Sequence, residues 1–199
     1  DTQHSNLNEI IDAGHDLLAL INEVLDLAKI ESGKLEVVME KVVLSKVIQQ
    51  SLALVQPLSA LHDIEIHDQI STKDHIVLAD TTRLKQVLVK LLSNAVKYNS
   101  THGKITLSCR VVGQQLRFNI TDTGIGISTE NIKKLFTPFE RLDNIGSVEG
   151  AGIGLVITKH LVERMRGEIG VSSVPGEGTT FWVILELQSP STKTAKADP

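Results

Sequence analysis

Thr121-Asp-Thr-Gly-Ile-Gly-Ile-Ser128, TDTGIGIS, follows the alternating run LRFNI (residues 116–120) and ends on a serine suited to start a helix. An aspartate closes a strand, and a Gly-x-Gly turn then leads towards a helix. Glycines without Cβ let a backbone come close to another group. A carboxylate buried at a strand end is costly unless a donor meets it. Taken alone, D-x-G-x-G also reads as an ordinary turn. A ligand amino group meeting Asp122, with Gly124 and Gly126 admitting a planar ring, is the alternative.

Working outward, KITLSCRVV and QQLRFNITD are two alternating runs about a turn at Gly113–Gln114, which predicts a hairpin. Upstream, TTRLKQVLVKLLSNAVKYNS predicts a helix from Thr81 to Lys97. Leu84, Val87, Leu88, Leu91, Leu92 and Ala95 form its core face. Lys90, Asn94 and Lys97 fall at i, i+4 and i+7 on a second, polar face. That face reads as a solvated stripe or as part of a site. Asn is a poor mid-helix residue, and the Asn94 amide oxygen is a ligand type for a hard cation such as Mg²⁺.

Downstream, a short helix is expected at Thr129–Leu135. A second glycine cluster, Gly150, Gly152 and Gly154, opens a helix expected over Ile153–Arg166. Free N–H groups and the helix dipole make such a terminus a place for anions. The unit lacks the strand–helix arrangement and downstream acid of a dinucleotide fingerprint, and the Walker lysine pattern is absent. A terminal hairpin, EIGVSSVPGEGTTFWVILEL, follows. Before all these lie a strand KLEVVME, a helix Lys46–Leu61 capped by Ser45 and running through Pro57, and short strands near Ile64–Ile66 and Ile76–Leu78. Helices and antiparallel pairs are both plentiful, so the expected class is α+β, a two-layer α/β sandwich with helices on one face of a mixed sheet.

The N-terminal segment differs. Leu7, Ile11, Gly14, Leu18, Ile21, Leu25 and Ala28 recur at alternating steps of four and three, the seam of a bundle helix. No other segment carries a matching seam, so the segment reads as half of a bundle. The 199 residues are 41% hydrophobic but only 3% aromatic, which leaves the core to Leu, Ile and Val. A net charge of −4 gives no electrostatic case for nucleic acid. The single cysteine, Cys109, cannot form an internal disulfide, and no Cys/His cluster has zinc spacing. No apolar run approaches the roughly 20 residues of a membrane helix. The expected location is cytoplasmic, for a parent protein that can carry a membrane anchor elsewhere.

In order, RLKQVLVKLLSNAVKYNS, DTGIGIS, LFTPFERL and GAGIGLVITKHLVERMRGEIGVSSVPGEGTTFWV resemble the N, G1, F and G2 boxes of the catalytic ATP-binding domain of two-component sensor histidine kinases. The resemblance covers about Lys34 to Leu187. HDLLALINEVLDLAKIESGKLEV is similar to the second helix of that family's dimerisation and phosphotransfer domain. The implied division is 1–33 for that helix and 34–187 for the ATP-binding domain, and the turn-rich, polar composition of 188–199 predicts a disordered tail or linker.

The resemblance implies a Bergerat-type ATP fold and assigns roles. Asn94 is the Mg²⁺ ligand; Lys97 and Tyr98 lie along the phosphates and ribose; Asp122 accepts from the adenine amino group. Gly124 and Gly126 shape the adenine pocket, and Phe136 and Phe139 stand beside a lid spanning Leu142–Glu149. Arg141 reaches the γ-phosphate and, with Lys97, serves catalysis. Gly150, Gly152 and Gly154 lie on the phosphate side, with Leu155 and Thr179 in the same binding set. The implied partners are ATP and ADP, a response-regulator receiver domain, the first bundle helix and a homodimer mate.

Three departures stand out. Lys90 replaces a frequent Asn or His one turn before Asn94. Ala151 replaces a frequent hydroxyl residue. The phosphoacceptor H box is not found, and His4 and His15 read as surface histidines. Two rival readings follow: a nucleotide-binding regulatory module without phosphotransfer, and an ATP hydrolase akin to gyrase, Hsp90 or MutL. Hydrolases of that kind need a glutamate near the N box to activate water, where this chain has Lys90.

Overall fold

The computed structural model describes residues 14, 17, 18, 21, 22, 24–30, 32–70, 74–140 and 152–188. The first helix, α1, is helical at each of its described residues, 14, 17, 18, 21, 22 and 24–30. Then come β1 (Glu40–Val43), α2 (Leu44–Leu61), β2 (Glu65–Asp68), β3 (Ile76–Ala79), α3 (Thr81–Lys97), β4 (Lys104–Val112) and β5 (Gln115–Asp122). The short α4 (Thr129–Ile132), α5 (Gly154–Arg164), β6 (Glu168–Val174) and β7 (Gly178–Gln188) complete the order.

Among the described residues, seven strands form one sheet in the order β1-β3-β7-β5-β4-β2, with β6 also paired to β7. The sheet is mixed: β2 pairs parallel with β4, and every other pair is antiparallel. The long β7 is its spine. One edge carries β5 from Gln115 to Asp122. The other carries β6 opposite Gly178–Ile184 and β3 opposite Leu187–Gln188.

Alternation along β5 explains the two faces. Leu116, Phe118, Ile120 and Asp122 are buried, and the residues between them are not. The buried face meets a helical layer in which α3 packs against α2, α5 and β5. The opposite face is polar. Thr121 and Thr180 hydroxyls lie 3.0 Å apart, Asn119 donates to Ser108 Oγ at 3.3 Å, and the Arg117 guanidinium stands 4.5 Å from the Trp182 ring centroid. The two-layer expectation therefore holds, with the helices on one side.

Helix α3 is the pillar of the core, with Leu84, Val87, Leu88, Leu91 and Leu92 fully buried. The Asp80 side chain caps it by accepting from Arg83 N–H at 3.0 Å, and its other oxygen accepts from Val38 N–H at 3.0 Å. Burying each leucine contributes about 1.5–3 kcal/mol against an exposed reference.

Three element boundaries depart from the sequence reading. Residues 34–39 keep the alternation of a strand, with Leu35 buried and Val37 and Met39 half-buried. Their ladder begins only at Glu40, because the partner β3 is four residues long. Ser45 is no cap: α2 starts at Leu44, and Ser45 Oγ donates instead to Asp74 Oδ1 at 3.0 Å. The helix after Ser128 stops at Ile132 and continues as turns.

At its C-terminal end α1 is tied to the sandwich. Leu27 and Ile30 are buried, and Gln86 Nε2 of α3 donates to Asp26 Oδ2 at 2.9 Å. Further back, Leu17, Leu18, Ile21, Val24 and Leu25 are exposed, Leu18 at 57%.

Candidate functional site: a carboxylate, a helix end and a glycine turn

Strand parity delivers Asp122 to the core face. It follows Leu116, Phe118 and Ile120 in the inward series, so its carboxylate enters the layer between sheet and helices. The residue is only 6% exposed. Its Oδ1 accepts from Gly124 N–H at 2.9 Å and from Thr179 N–H at 3.1 Å. Burial raises its pKa above the ordinary 3.8, and the two backbone donors oppose that rise. Both of these bonds use Oδ1, and Oδ2 offers further acceptor capacity to a donor from outside the chain.

The C-terminus of α3 closes against this carboxylate. Tyr98 is the helix C-cap, its N–H donating to Asn94 O at 3.0 Å. The Tyr98 carbonyl accepts from Ile125 N–H at 3.2 Å. Gly124 is wedged between these parts: a Cβ there would collide with the Tyr98 carbonyl and stand 2.9 Å from Asp122 Oδ1. Gly126 has φ +68, and a Cβ on it would strike the Val174 carbonyl. Both glycines of the turn thus have a steric reason inside the fold.

A residue missed in the sequence ties the turn to the terminal hairpin. Ser173 Oγ accepts from Ile127 N–H at 2.8 Å, donates to Gly178 O at 2.7 Å and lies 2.9 Å from Thr179 Oγ1. Thr179, buried like Asp122, is therefore fixed through both its N–H and its hydroxyl. Serine in an alternating strand carries no pattern that marks such a hub. Its pairing opposite Thr179 is set by register.

The residues that the resemblance assigns to the phosphate side include some on α3 and α5. Lys90 and Asn94 are half-buried and Lys97 is exposed at the last turn of α3. Lys97 also suits the negative end of that helix. Gly154 begins α5, whose N-cap Ile153 makes no side-chain cap and whose first turn has no acidic residue. Leu155 is half-buried against the core. Gly152 has φ +70, and a Cβ there would stand 2.8 Å from the Glu140 carbonyl. Phe136 packs on the core edge with Lys159 Nζ 5.5 Å from its ring centroid, and Phe139 is exposed. Arg141, Leu142–Glu149, Gly150 and Ala151 lie outside the described residues, as do His4 and His15.

The donor set suits a metal that arrives with its ligand. Among the described residues no group of three His, Cys, Asp or Glu side chains can hold a metal ion. A lone amide oxygen, Asn94, matches the habit of Mg²⁺ to keep waters and take phosphate oxygens. Also among the described residues, no helix is long and apolar enough to cross a membrane.

A family model described as histidine kinase-, DNA gyrase B-, and HSP90-like ATPase matches residues 79–189, which hold Asn94, Asp122 and Gly154. The chain is 38% identical over 193 residues to the sensor protein GacS of Pseudomonas syringae pv. syringae, covering 93% of this chain and 21% of that protein. It is 36% identical over 193 residues to the circadian input-output histidine kinase CikA of Synechococcus elongatus, covering 95% and 26%. The fold superposes on full-length ShkA in complex with AMPPNP with a TM-score of 0.82 at 29% identity, over 96% of this chain and 40% of that one. The chain thus spans about a fifth to a quarter of these two curated relatives.

Proposed function

The chain belongs to the histidine kinase-, DNA gyrase B- and HSP90-like ATPase family, and from that membership we propose that it works by presenting Mg-ATP to a histidine acceptor on a bundle helix. It is an ATP-binding catalytic module with sensor histidine kinases as its relatives. The observation that carries the mechanism is the Asp122 node. A carboxylate fixed by two backbone donors, beside a helix end and a glycine turn, selects a planar ring with an exocyclic amine.

With adenine at Asp122, the triphosphate runs along the polar face of α3 towards the first turn of α5. Asn94 would hold Mg²⁺, which would supply neutralisation of phosphate charge. Lys97 and Arg141 add cationic contacts, so catalysis is positioning and charge stabilisation rather than covalent chemistry. The γ-phosphoryl passes to an imidazole nitrogen and from there to a receiver-domain aspartate. Lys90 disfavours the hydrolytic reading, since an ammonium is no base for water. The division into 1–33 for the second bundle helix, 34–187 for the ATP-binding unit and 188–199 for a tail or linker belongs to this proposal. The exposed seam of α1 at Leu18, Ile21 and Leu25 supports this division by offering a packing face for a partner helix.

The experiment is phosphotransfer. The chain alone with labelled ATP and Mg²⁺ forms no acid-labile phosphohistidine. An added H-box helix, fused or in trans, restores labelling. Leu18→Asp abolishes the rescue and leaves ATP affinity unchanged, because seam and nucleotide site are separate surfaces. Labelling of the isolated chain at His4 or His15 overturns the proposal.

A further inference from the structure

We propose that the Lys90 ammonium is a phosphate-holding group of this nucleotide site, so that ATP binding here leans on a fixed charge and depends less on Mg²⁺ than a neutral side chain at that position allows. The inference rests on the ATP-site reading and adds a residue to it. Lys90 lies one turn before Asn94 on the same face of α3, and Lys97 completes that face. Its side chain crosses to α5. A Cβ added to Gly154 would collide with Lys90 Cε and Nζ, so the glycine leaves room for the lysine. The first residue of α5 and the Lys90 ammonium are therefore neighbours, which brings a cation beside the positive end of a helix.

Chemistry decides the role. An ammonium has three donors and no lone pair, so it cannot ligate Mg²⁺. It competes with the metal for the same phosphate charge. A phosphate held by Lys90 needs the metal less.

The test is calorimetry of the intact chain with ATP and with adenosine, in EDTA and in Mg²⁺. In EDTA, Lys90→Gln lowers ATP affinity about tenfold or more, the scale of a charge-assisted hydrogen bond, with adenosine affinity unchanged. Lys90→Asn raises the ratio of ATP affinities with and without Mg²⁺ by a similar factor. Gly154→Ala displaces the lysine by its new methyl and reproduces the selective loss of ATP. Unchanged ATP affinity in EDTA overturns the proposal, and so does an equal loss of ATP and adenosine, which would make Lys90 a structural residue. A wild-type chain that binds neither ligand would instead sink the ATP-site reading.

Discussion

The two ends of the nucleotide site are built differently. At the proposed adenine end, Asp122, Gly124, Ile127, Ser173, Gly178 and Thr179 are joined by carboxylate, backbone and hydroxyl bonds of 2.7–3.1 Å, and Ile125 N–H bonds the Tyr98 carbonyl at 3.2 Å. Strand register supplies most of that geometry, so the end is fixed before any ligand arrives. At the proposed phosphate end, the groups are long side chains on one helix, Lys90 and Lys97 of α3, with Lys90 reaching the start of α5. Their charge is placed, but the flexible stems can follow a moving phosphate. The contrast teaches a division of labour. On the proposed reading, identity of the base is read by rigid backbone, whereas the phosphates, which change during a transfer, meet adjustable cations.

The sharpest way to break this comparison is at its rigid end. Asp122→Ala removes the acceptor and leaves Gly124 and Thr179 N–H groups without their partner. Loss of a hydrogen bond to a charged group costs about 1.5–3 kcal/mol, so ATP affinity should fall roughly tenfold or more. Adenosine affinity should fall by the same factor, because the phosphates are not involved. Calorimetry with both ligands checks this. A loss confined to ATP would mean that Asp122 belongs to the phosphate end and that the division is wrong.

What sequence showed and what it hid follows the same line. Helix α3 and the β4–β5 hairpin were legible because their periodicities are long and regular, and both ends of α3 fall where expected. Asp122 was legible because the strand alternation and the glycine turn meet there. Ser173 was not, since its three contacts come from strand register and a turn 46 residues away. The approach of Lys90 to Gly154 was equally hidden: the sequence places both at helix positions, and only the packing of α3 on α5 brings them together. The start of β1 was misjudged for a related reason. Side-chain alternation runs from Leu35, but ladder bonds need a partner, and β3 supplies one only from Glu40.

A second, smaller effect sharpens the comparison through pH. Burial raises the Asp122 pKa above 3.8, so the folded chain holds this proton more tightly than the unfolded chain does. The contribution of this group to stability is full below 3.8 and is lost as pH rises through the raised value. Nucleotide binding has the opposite sign, because the adenine amine needs a carboxylate acceptor. Affinity should therefore fall as pH drops, beginning at a higher pH than an ordinary aspartate would set. Asp122→Asn keeps an acceptor oxygen for Gly124 and Thr179 but removes the charge. Its free form should melt higher than wild type at pH 7 while binding ATP more weakly and without the acidic limb. A variant that melts lower at pH 7 would show that the two backbone donors outweigh burial.

The smallest effect expected is at Ser173, and it probes whether the rigid end is rigid because of its bonds. Ser173→Ala strips the Ile127 N–H and the Gly178 carbonyl of a shared partner in a partly buried place. Each lost bond is worth about 1 kcal/mol of stability, and the strand pairing opposite Thr179 remains. Only part of that loss reaches the ligand, since Thr179 N–H still holds Asp122. Adenosine affinity should fall about two- to fivefold, which is roughly 0.5–1 kcal/mol, and ATP affinity by the same factor. Amide exchange at Ile127 should quicken, while exchange along α3 stays as in wild type. If Ser173→Ala matched Asp122→Ala in affinity, the glycine turn would owe its shape to the hydroxyl rather than to the close contact of Gly124 with Tyr98, and the backbone would no longer count as the reader of the base.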